Sequence, residues 1–433
     1  MRDFARSDHA GVQAQLDRLA ALSLPEGRLG LETIRALLNE LGNPHRSLPP
    51  VFHVAGTNGK GSTCAFLRAM LEADGKQVHV ATSPHLVRYN ERIRLAGKLI
   101  EDDLLASLLS EVLDAGEGLA PSFFEATIAA TFLAFSRVAA DACVVEVGLG
   151  GRFDATNVLE PDVLAACGIA ALGIDHERFL LAPEDGVPSE PMARIAFEKA
   201  GITKEGVPLV TLSYGTGETL EIERAAARNG SPLAMNGRDW HVSRTGIGIS
   251  YADRHGELVL PLPTLPGEHQ TDNAGLAITL LRHQDVVNVT ESAIHSGLRT
   301  ARWPARLQEL AEGPLTMLAG DQSVWLDGGH NVSAGNTLAN SLTGELHLIV
   351  GMLASKNPAA IVDAFGKRVR SLTVVPVPGH DSHPVEAFGP EARGATDLET
   401  ALLGIADDGY PILIAGSLYL AGEALRLNDE IPD

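Results

Sequence analysis

The chain has 433 residues, with 34 Lys+Arg against 55 Asp+Glu, a formal net charge of −21 and 45% hydrophobic residues. That composition excludes a disordered or fibrous chain, and the length suffices for two or three domains, each with its own core. The acidic balance argues against nucleic acid or a membrane as partner, so an anionic metabolite would need local positive charge, a metal ion or helix N-termini.

Three cysteines, Cys64, Cys143 and Cys167, lie in apolar contexts and fit buried thiols of a reducing compartment rather than a disulfide framework or a zinc site. The first twenty residues mix charges through an amphipathic pattern without an apolar signal core. No stretch reaches bilayer-spanning length, and the expectation is a cytoplasmic protein.

Along the chain, apolar β-branched runs alternate with helical patterns, the sign of parallel α/β sheets. The first predicted strands are 51–55, 78–81, 142–147 and 163–169. Helices are expected at 62–73 and at 124–137, the latter almost wholly apolar and therefore buried. The turn-rich text between 208 and 262 reads as an antiparallel excursion. A helical pattern gives way to Gly, Arg and Pro at 297–304, and a second series of strands follows at 323–326, 346–350, 372–375 and 411–415. The expected domains are 1–300 and 301–433.

The strongest local signal runs from Val51 to Gly75. A strand enters Gly56-Thr57-Asn58-Gly59-Lys60-Gly61-Ser62 and an amphipathic helix leaves it. Glycines let backbone N–H groups approach phosphate oxygens, and the helix N-terminus adds partial positive charge. Lys60 supplies a point charge for the β/γ-phosphates, and Ser62 or Thr63 a hydroxyl for Mg²⁺. Gly61 intervenes before Ser62, so the spacing departs from the common phosphate-loop pattern. The strand–loop–helix frame favours phosphate binding over an ordinary glycine-rich turn.

A phosphate loop needs an acid for its metal, and Glu146 stands in the apolar run 142–147. An unpaired carboxylate there would cost several kcal/mol, which Mg²⁺ ligation or an ion pair with Arg152 or Arg94 would offset. Gly148-Leu-Gly-Gly-Arg-Phe-Asp154 follows at the strand's carboxyl end, where ligands of open α/β sheets bind. Ser83-Pro84-His85 follows the second strand. Arg88, Arg92 and Arg94 beyond it read as a carboxylate clamp or as a solvated face. His176 and Lys199, taken singly, read as structural and surface residues. Asp327-Gly-Gly-His330-Asn331 follows a later strand, and Gly416-Ser417-Leu418 opens the last helix as a second anion nest. No N-K-x-D motif is present, which disfavours guanine.

Together these residues resemble the folylpolyglutamate synthase and dihydrofolate synthase family of the ATP-dependent Mur ligase superfamily. The resemblance runs through GTNGKGS, SPHLVRYNERI, FFEATIAATFLAF, VVEVGLGGRFDATN, IDH, FEKAGI, GEHQTDNAGLA, LDGGHN and GSLYLAGEAL. It implies an α/β fold with an N-terminal P-loop NTPase-like domain on a mostly parallel sheet, which would bind ATP and pteroate. A smaller Rossmann-like C-terminal glutamate-ligase domain would follow. ATP bound between them would phosphorylate a pteroate or folate carboxylate, and the amine of L-glutamate would displace the phosphate.

Carried over by position, Thr57, Asn58, Gly59, Lys60, Gly61, Ser62, Asn273, Arg306 and Asp327 would contact ATP. Ser62, Ser83, Glu146 and His176 would ligate Mg²⁺, and Lys199 matches a lysine that the family carbamylates. Lys60, Glu146, His176 and Lys199 form the implied catalytic set. Leu29, Gly30, Leu31, Ser122, Phe123, Phe124, Glu125, Phe153, Asp154 and Ala155 would bind pteroate, and His330 and Ser417 glutamate.

Asp154 and the N-terminal segment look like the bifunctional type, using dihydropteroate and reduced folates. The implied partners are those substrates with L-glutamate and ATP, and the expected state is a monomer. The alternatives are a folylpolyglutamate synthase alone, another Mur-type ligase and a non-catalytic switch protein. A Mur-type cell-wall ligase should carry a uridine-nucleotide domain where only about 50 residues precede the loop.

Four departures from the family pattern stand out. The spacer 177–191 is longer than usual, Gly329 and Val332 replace Ala and Pro, Ala305 replaces Gly, and a basic residue is missing near 379–381.

Overall fold

The apolar runs become strands buried on both faces, as parallel strands covered by helices must be. The computed structural model describes residues 6–22 and 30–433, and the chain divides into two units. The first runs to Ser83 and adds Tyr89–Thr264 and Gln270–Arg302. Its main sheet contains β1 (Val51–Ala55), β2 (Val78–Ala81), β3 (Ile93–Leu95), β4 (Lys98–Leu99), β5 (Ala142–Glu146), β6 (Leu164–Ile169), β7 (Leu209–Thr211) and β8 (Leu233–Met235).

The order is β4-β3-β2-β5-β1-β6-β7-β8, parallel from β2 to β8 with an antiparallel β3–β4 edge. β1 lies between β5 and β6, while the chain goes from β1 to β2 on one side and from β5 to β6 across it. That is a topological switch point, where the carboxyl ends of strands leave a crevice for ligands. The helix Lys60–Ala73 starts at that end of β1. The helix Phe123–Arg137 is opened by a capping box between Ser122 and Glu125, and its apolar length is buried.

The stretch 208–262 differs from the sequence expectation. Only β9 (Trp240–Arg244), β10 (Ile249–Asp253) and β11 (Gly256–Leu260) form an antiparallel sheet. Before them, β7 and β8 continue the parallel sheet around the helix Thr216–Arg228. β7 and β8, three residues each, carry little pattern of their own within this turn-rich text, whereas the helix between them buries Ile222, Ala225 and Ala226 at helical spacing. The antiparallel sheet is tied to the helix Gln270–Arg282 by Arg282 on Asp253, at 2.9 and 3.0 Å, and by the Tyr251 hydroxyl on Thr279.

The second unit comprises Trp303–Asp433 with the strips Pro84–Arg88 and Leu265–His269. Its sheet contains β12 (Gln308–Glu309), β13 (Val324–Leu326), β14 (Leu346–Val350), β15 (Val369–Val374), β16 (Arg393–Gly394) and β17 (Ile412–Ala415), in the order β12-β13-β17-β14-β15-β16. All pairs but β12–β13 are parallel. The strip Pro84–Arg88 lies on the helix Leu418–Leu427, where a side chain at Gly422 would put its Cβ 1.9 Å from the Leu86 carbonyl oxygen.

All three cysteines are buried free thiols. No helix among the described residues is long and apolar enough to cross a membrane.

Candidate active site

The loop after β1 folds as its glycines require. Gly59 caps the helix Lys60–Ala73 at φ +81°, and any Cβ there would sit 2.4 Å from Asn273 Oδ1. Asn273 donates to Gln270 Oε1 at 3.0 Å, and Gln270 donates to the buried Ser62 hydroxyl at 3.3 Å. Asn273, expected at one site with Gly59 and Ser62 although 214 and 211 positions away, thus meets Gly59 directly and Ser62 through Gln270, which the sequence did not single out.

The N–H groups of Thr57 and Asn58 bond the Ala171 carbonyl, and the Thr57 hydroxyl donates to Gly173 O at 2.8 Å. The Thr57 side chain therefore pins the loop to the segment after β6. Lys60 Nζ lies over the loop, donating to Gly56 O at 3.0 Å and Thr57 O at 3.3 Å, and stands 4.0 Å from the Glu146 carboxylate.

Glu146 ends β5 opposite Val54 of β1 and is only 6% exposed. It accepts from the Ser83 N–H at 3.3 Å, so two expected metal residues meet through the Ser83 backbone. Arg152, a candidate partner for Glu146, instead pairs with Glu184 and Glu198. His176 takes a left-handed conformation, its N–H on Asp175 Oδ1 at 2.7 Å and its ring nitrogen 4.0 Å from the other oxygen.

No group of three His, Cys, Asp or Glu suited to a metal occurs among the described residues. The donors at the loop are a buried hydroxyl and a buried carboxylate. They fit Mg²⁺, which keeps its waters and takes one or two carboxylates beside substrate phosphates.

Lys199 is no surface residue. It is buried on the helix Pro191–Ala200 and donates to Gly56 O at 3.0 Å. Burial first, then the Lys60 ammonium, lowers its amine to about 7, against the opposing pull of Asp175, Asp154 and Glu198.

The expected pteroate residues fall into two sorts. The Phe124 ring lies against Gly148, where a Cβ would come 2.3 Å from it, so the 122–125 and 148–155 segments meet. Phe123 sits beside Tyr89 and under the buried Arg92, which is therefore not a solvated face. Ser122 and Glu125, by contrast, bond each other in the capping box.

Asp154 is 3% exposed and accepts from the Leu149 N–H at 2.7 Å, the Thr156 N–H at 3.0 Å and the Thr156 hydroxyl. Burial raises its carboxyl above the usual range despite these donors. Phe153 lies under the Arg152 guanidinium, and Ala155 begins the short helix that Asp154 caps. Gly30 and Leu31 precede the helix Glu32–Glu40, with Leu31 packed against the core; Leu29 lies outside the described residues.

In the second unit, buried Asp327 accepts from the Leu307 N–H at 2.8 Å and the Gly329 N–H at 2.6 Å, beside Arg306. Arg306 donates to Ala305 O, His330 bonds Gly328 O through Nδ1, and Ser417 caps the last helix through the Tyr419 N–H.

No protein-family model matches the sequence. The Escherichia coli dihydrofolate synthase/folylpolyglutamate synthase is 35% identical over 414 residues, covering 93% of this chain and 92% of that one. This chain belongs to the dihydrofolate synthase/folylpolyglutamate synthase family.

Among solved members, E. coli FolC in complex with DHPP and ADP superposes with a TM-score of 0.84 at 28% identity, covering 98% of this chain and 99% of that one. A bifunctional folylpolyglutamate synthase/dihydrofolate synthase with Mn, AMPPNP and L-glutamate bound gives 0.82 at 28%, over 98% and 99%. A Haloferax volcanii protein named probable bifunctional folylpolyglutamate synthase/dihydropteroate synthase is 32% identical over 427 residues. The match takes in 91% of this chain, which spans 48% of that relative's length.

Members of this family are ATP-dependent ligases, and the fold expected from the resemblance, an α/β protein with large mostly parallel sheets, is the one found. Gln270 and Asp175 are the site-proximal residues that the sequence reading left out. Gln270 stands in a first turn that is polar throughout (Gln270-Thr-Asp-Asn273), so nothing in GEHQTDNAGLA sets it apart from its neighbours; its burial against Ser62 does.

Proposed function

We infer that the chain adds L-glutamate to dihydropteroate and to (poly)glutamylated tetrahydrofolate, using ATP. The observation that carries this is the Gly59–Asn273–Gln270–Ser62 lock at the switch point of the sheet, beside buried Glu146 and Lys199. A carboxylate is a poor electrophile at neutral pH. Its oxygen attacks the γ-phosphorus of ATP, ADP leaves, and the mixed anhydride forms. The neutral amine of glutamate then attacks the acyl carbon, the amine proton is released, and phosphate departs as the amide forms.

Charge builds on phosphoryl oxygens in the first step, and Lys60 with the open N-terminus of its helix answers it. Ser62, Glu146, the Ser83 segment and His176 are the residues proposed to hold Mg²⁺, which would screen phosphate charge when bound. Arg306 and Asp327 are proposed as nucleotide contacts of the second unit, and His330 and Ser417 as glutamate contacts. Lys199, with an amine near 7, is in the state that accepts CO₂, and we propose its carbamylation. The dihydropteroate face is assigned to Phe123, Phe124 and the 153–155 loop, with Asp154 as its organiser.

We place the enzyme in the cytoplasm as a monomer, without nucleic-acid or membrane partners. Phosphate release in the presence of ATP and Mg²⁺ should require both glutamate and either dihydropteroate or a reduced folate. Release indifferent to both would indicate a switch protein, and use of folates alone would indicate the folylpolyglutamate activity only.

A further inference from the structure

The long spacer between His176 and the Lys199 helix does not hang free. Leu180 is buried against Gly150, where a Cβ would come 2.8 Å from its side chain, and its carbonyl accepts from Arg194 Nε at 3.1 Å. Four residues on, Glu184 receives Arg152 in a two-pronged bond, at 3.0 and 2.6 Å, and Arg194 at 2.8 Å. Arg152 also grips Glu198 at 3.1 and 2.8 Å, and Arg194 reaches Glu198 at 2.9 Å. Two guanidiniums and two carboxylates, all largely buried, make a closed and charge-balanced ring.

The ring joins three pieces of the site. Arg152 belongs to the loop after Glu146 that carries Phe153 and Asp154. Glu198 precedes Lys199. The backbones of these two pieces are already in contact: the Arg152 N–H donates to Glu198 O at 2.8 Å, and a Cβ on Gly151 would meet Glu198 O at 2.7 Å. Glu184 is the only member of the ring supplied by the spacer.

We propose that Glu184 is a positioning residue that splints the Gly148–Ala155 loop against the Lys199 helix. In doing so it sets the face presented to the pteroate moiety. This rests on the ligase reading above. Without the Glu184 charge, Arg152 and Arg194 compete for Glu198 alone, and the loop gains freedom while the β1 phosphate loop, which has no member in the ring, is unchanged.

The test compares the wild type with Glu184→Gln in steady-state kinetics and in amide hydrogen exchange of the folded protein. The expected result is a KM for dihydropteroate raised about fivefold or more, with the KM for ATP within twofold of wild type. The amides of Leu149 and Arg152 should exchange at least about tenfold faster. A purely structural role would lower the active fraction and the unfolding temperature and leave both KM values alone, which overturns the proposal. So would unaltered exchange at those two amides. If the wild type consumes no ATP with any folate, the ligase reading fails, and exchange at Leu149 and Arg152 still decides whether Glu184 splints the loop.

Discussion

A single lysine shows how far burial can change a residue's meaning. Lys199, in FEKAGI, reads as a surface cation, yet the fold places it on Gly56 O in the interior, where its amine falls to about 7. The glycine-lysine loop was legible because glycines, lysine and hydroxyl stand together in sequence. Gln270 and Glu184 were not, because what makes them matter lies 208 positions away at Ser62 and 32 away at Arg152.

Lys60→Ala should reduce turnover about 10²–10³-fold with an unfolding curve like that of the wild type, since Lys60 bonds only its own loop and one carboxylate. Rapid-quench trapping of the acyl phosphate checks this. Glu146→Gln keeps the shape of β5's end and removes the charge. The Mg²⁺ concentration for half-maximal activity should rise at least about tenfold, measured by metal titration at saturating ATP. An unchanged titration would make Glu146 a structural partner of Lys60 and Ser83.

At the scale of elements, apolar runs flanked by turn residues were readable even when short, as the three-residue β13 inside the expected 323–326 shows. β1, β2 and β14 fall where the sequence put them, but β7 and β8, three residues each, were absorbed into an imagined antiparallel stretch. Their identity comes from pairing with β6, a tertiary fact.

Helix packing is set as tightly as strand pairing. Gly297, on the helix Glu291–Thr300, faces the backbone of Met70 on the phosphate-loop helix, with a would-be Cβ 2.6 Å from Met70 N and Cα. Backbone cannot move aside as a side-chain tip can. Gly297→Ala should therefore cost about 1–3 kcal/mol, read as a lower urea midpoint, and should weaken ATP binding because the helix that presents Lys60 shifts. A neutral outcome would mean that these helices part freely.

For the whole molecule, buried ionisable groups set the response to pH. His53 on β1 bonds Thr156 at 2.8 Å, and burial lowers its imidazole to about 3, while burial and the Arg46 charge lower His45 to about 4. In the unfolded chain both take a proton near 6.5. Between their folded and unfolded values the unfolded state binds more protons, so stability is fully present above 6.5 and is lost as the pH falls. Each contributes a slope of about 1.4 kcal/mol per pH unit. Asp154, raised by burial, opposes this with a carboxyl that burial prefers neutral. Urea midpoints from pH 7.5 to 4.5 should fall steadily, and His53→Gln should flatten the decline.

The chain passes from the first unit to the second between Arg302 and Trp303, while the strips Pro84–Arg88 and Leu265–His269 gave no sign of their membership, since five-residue pieces carry no pattern of their own. Their membership has a consequence for synthesis. The ribosome makes Leu86 more than three hundred codons before Gly422, the bed on which it rests. The second unit therefore cannot finish its interior until the Leu418–Leu427 helix has been made. A gene split at Trp303 would yield a C-terminal product with a bare groove along the Leu418–Leu427 helix, prone to clump until a peptide spanning 84–88 is supplied.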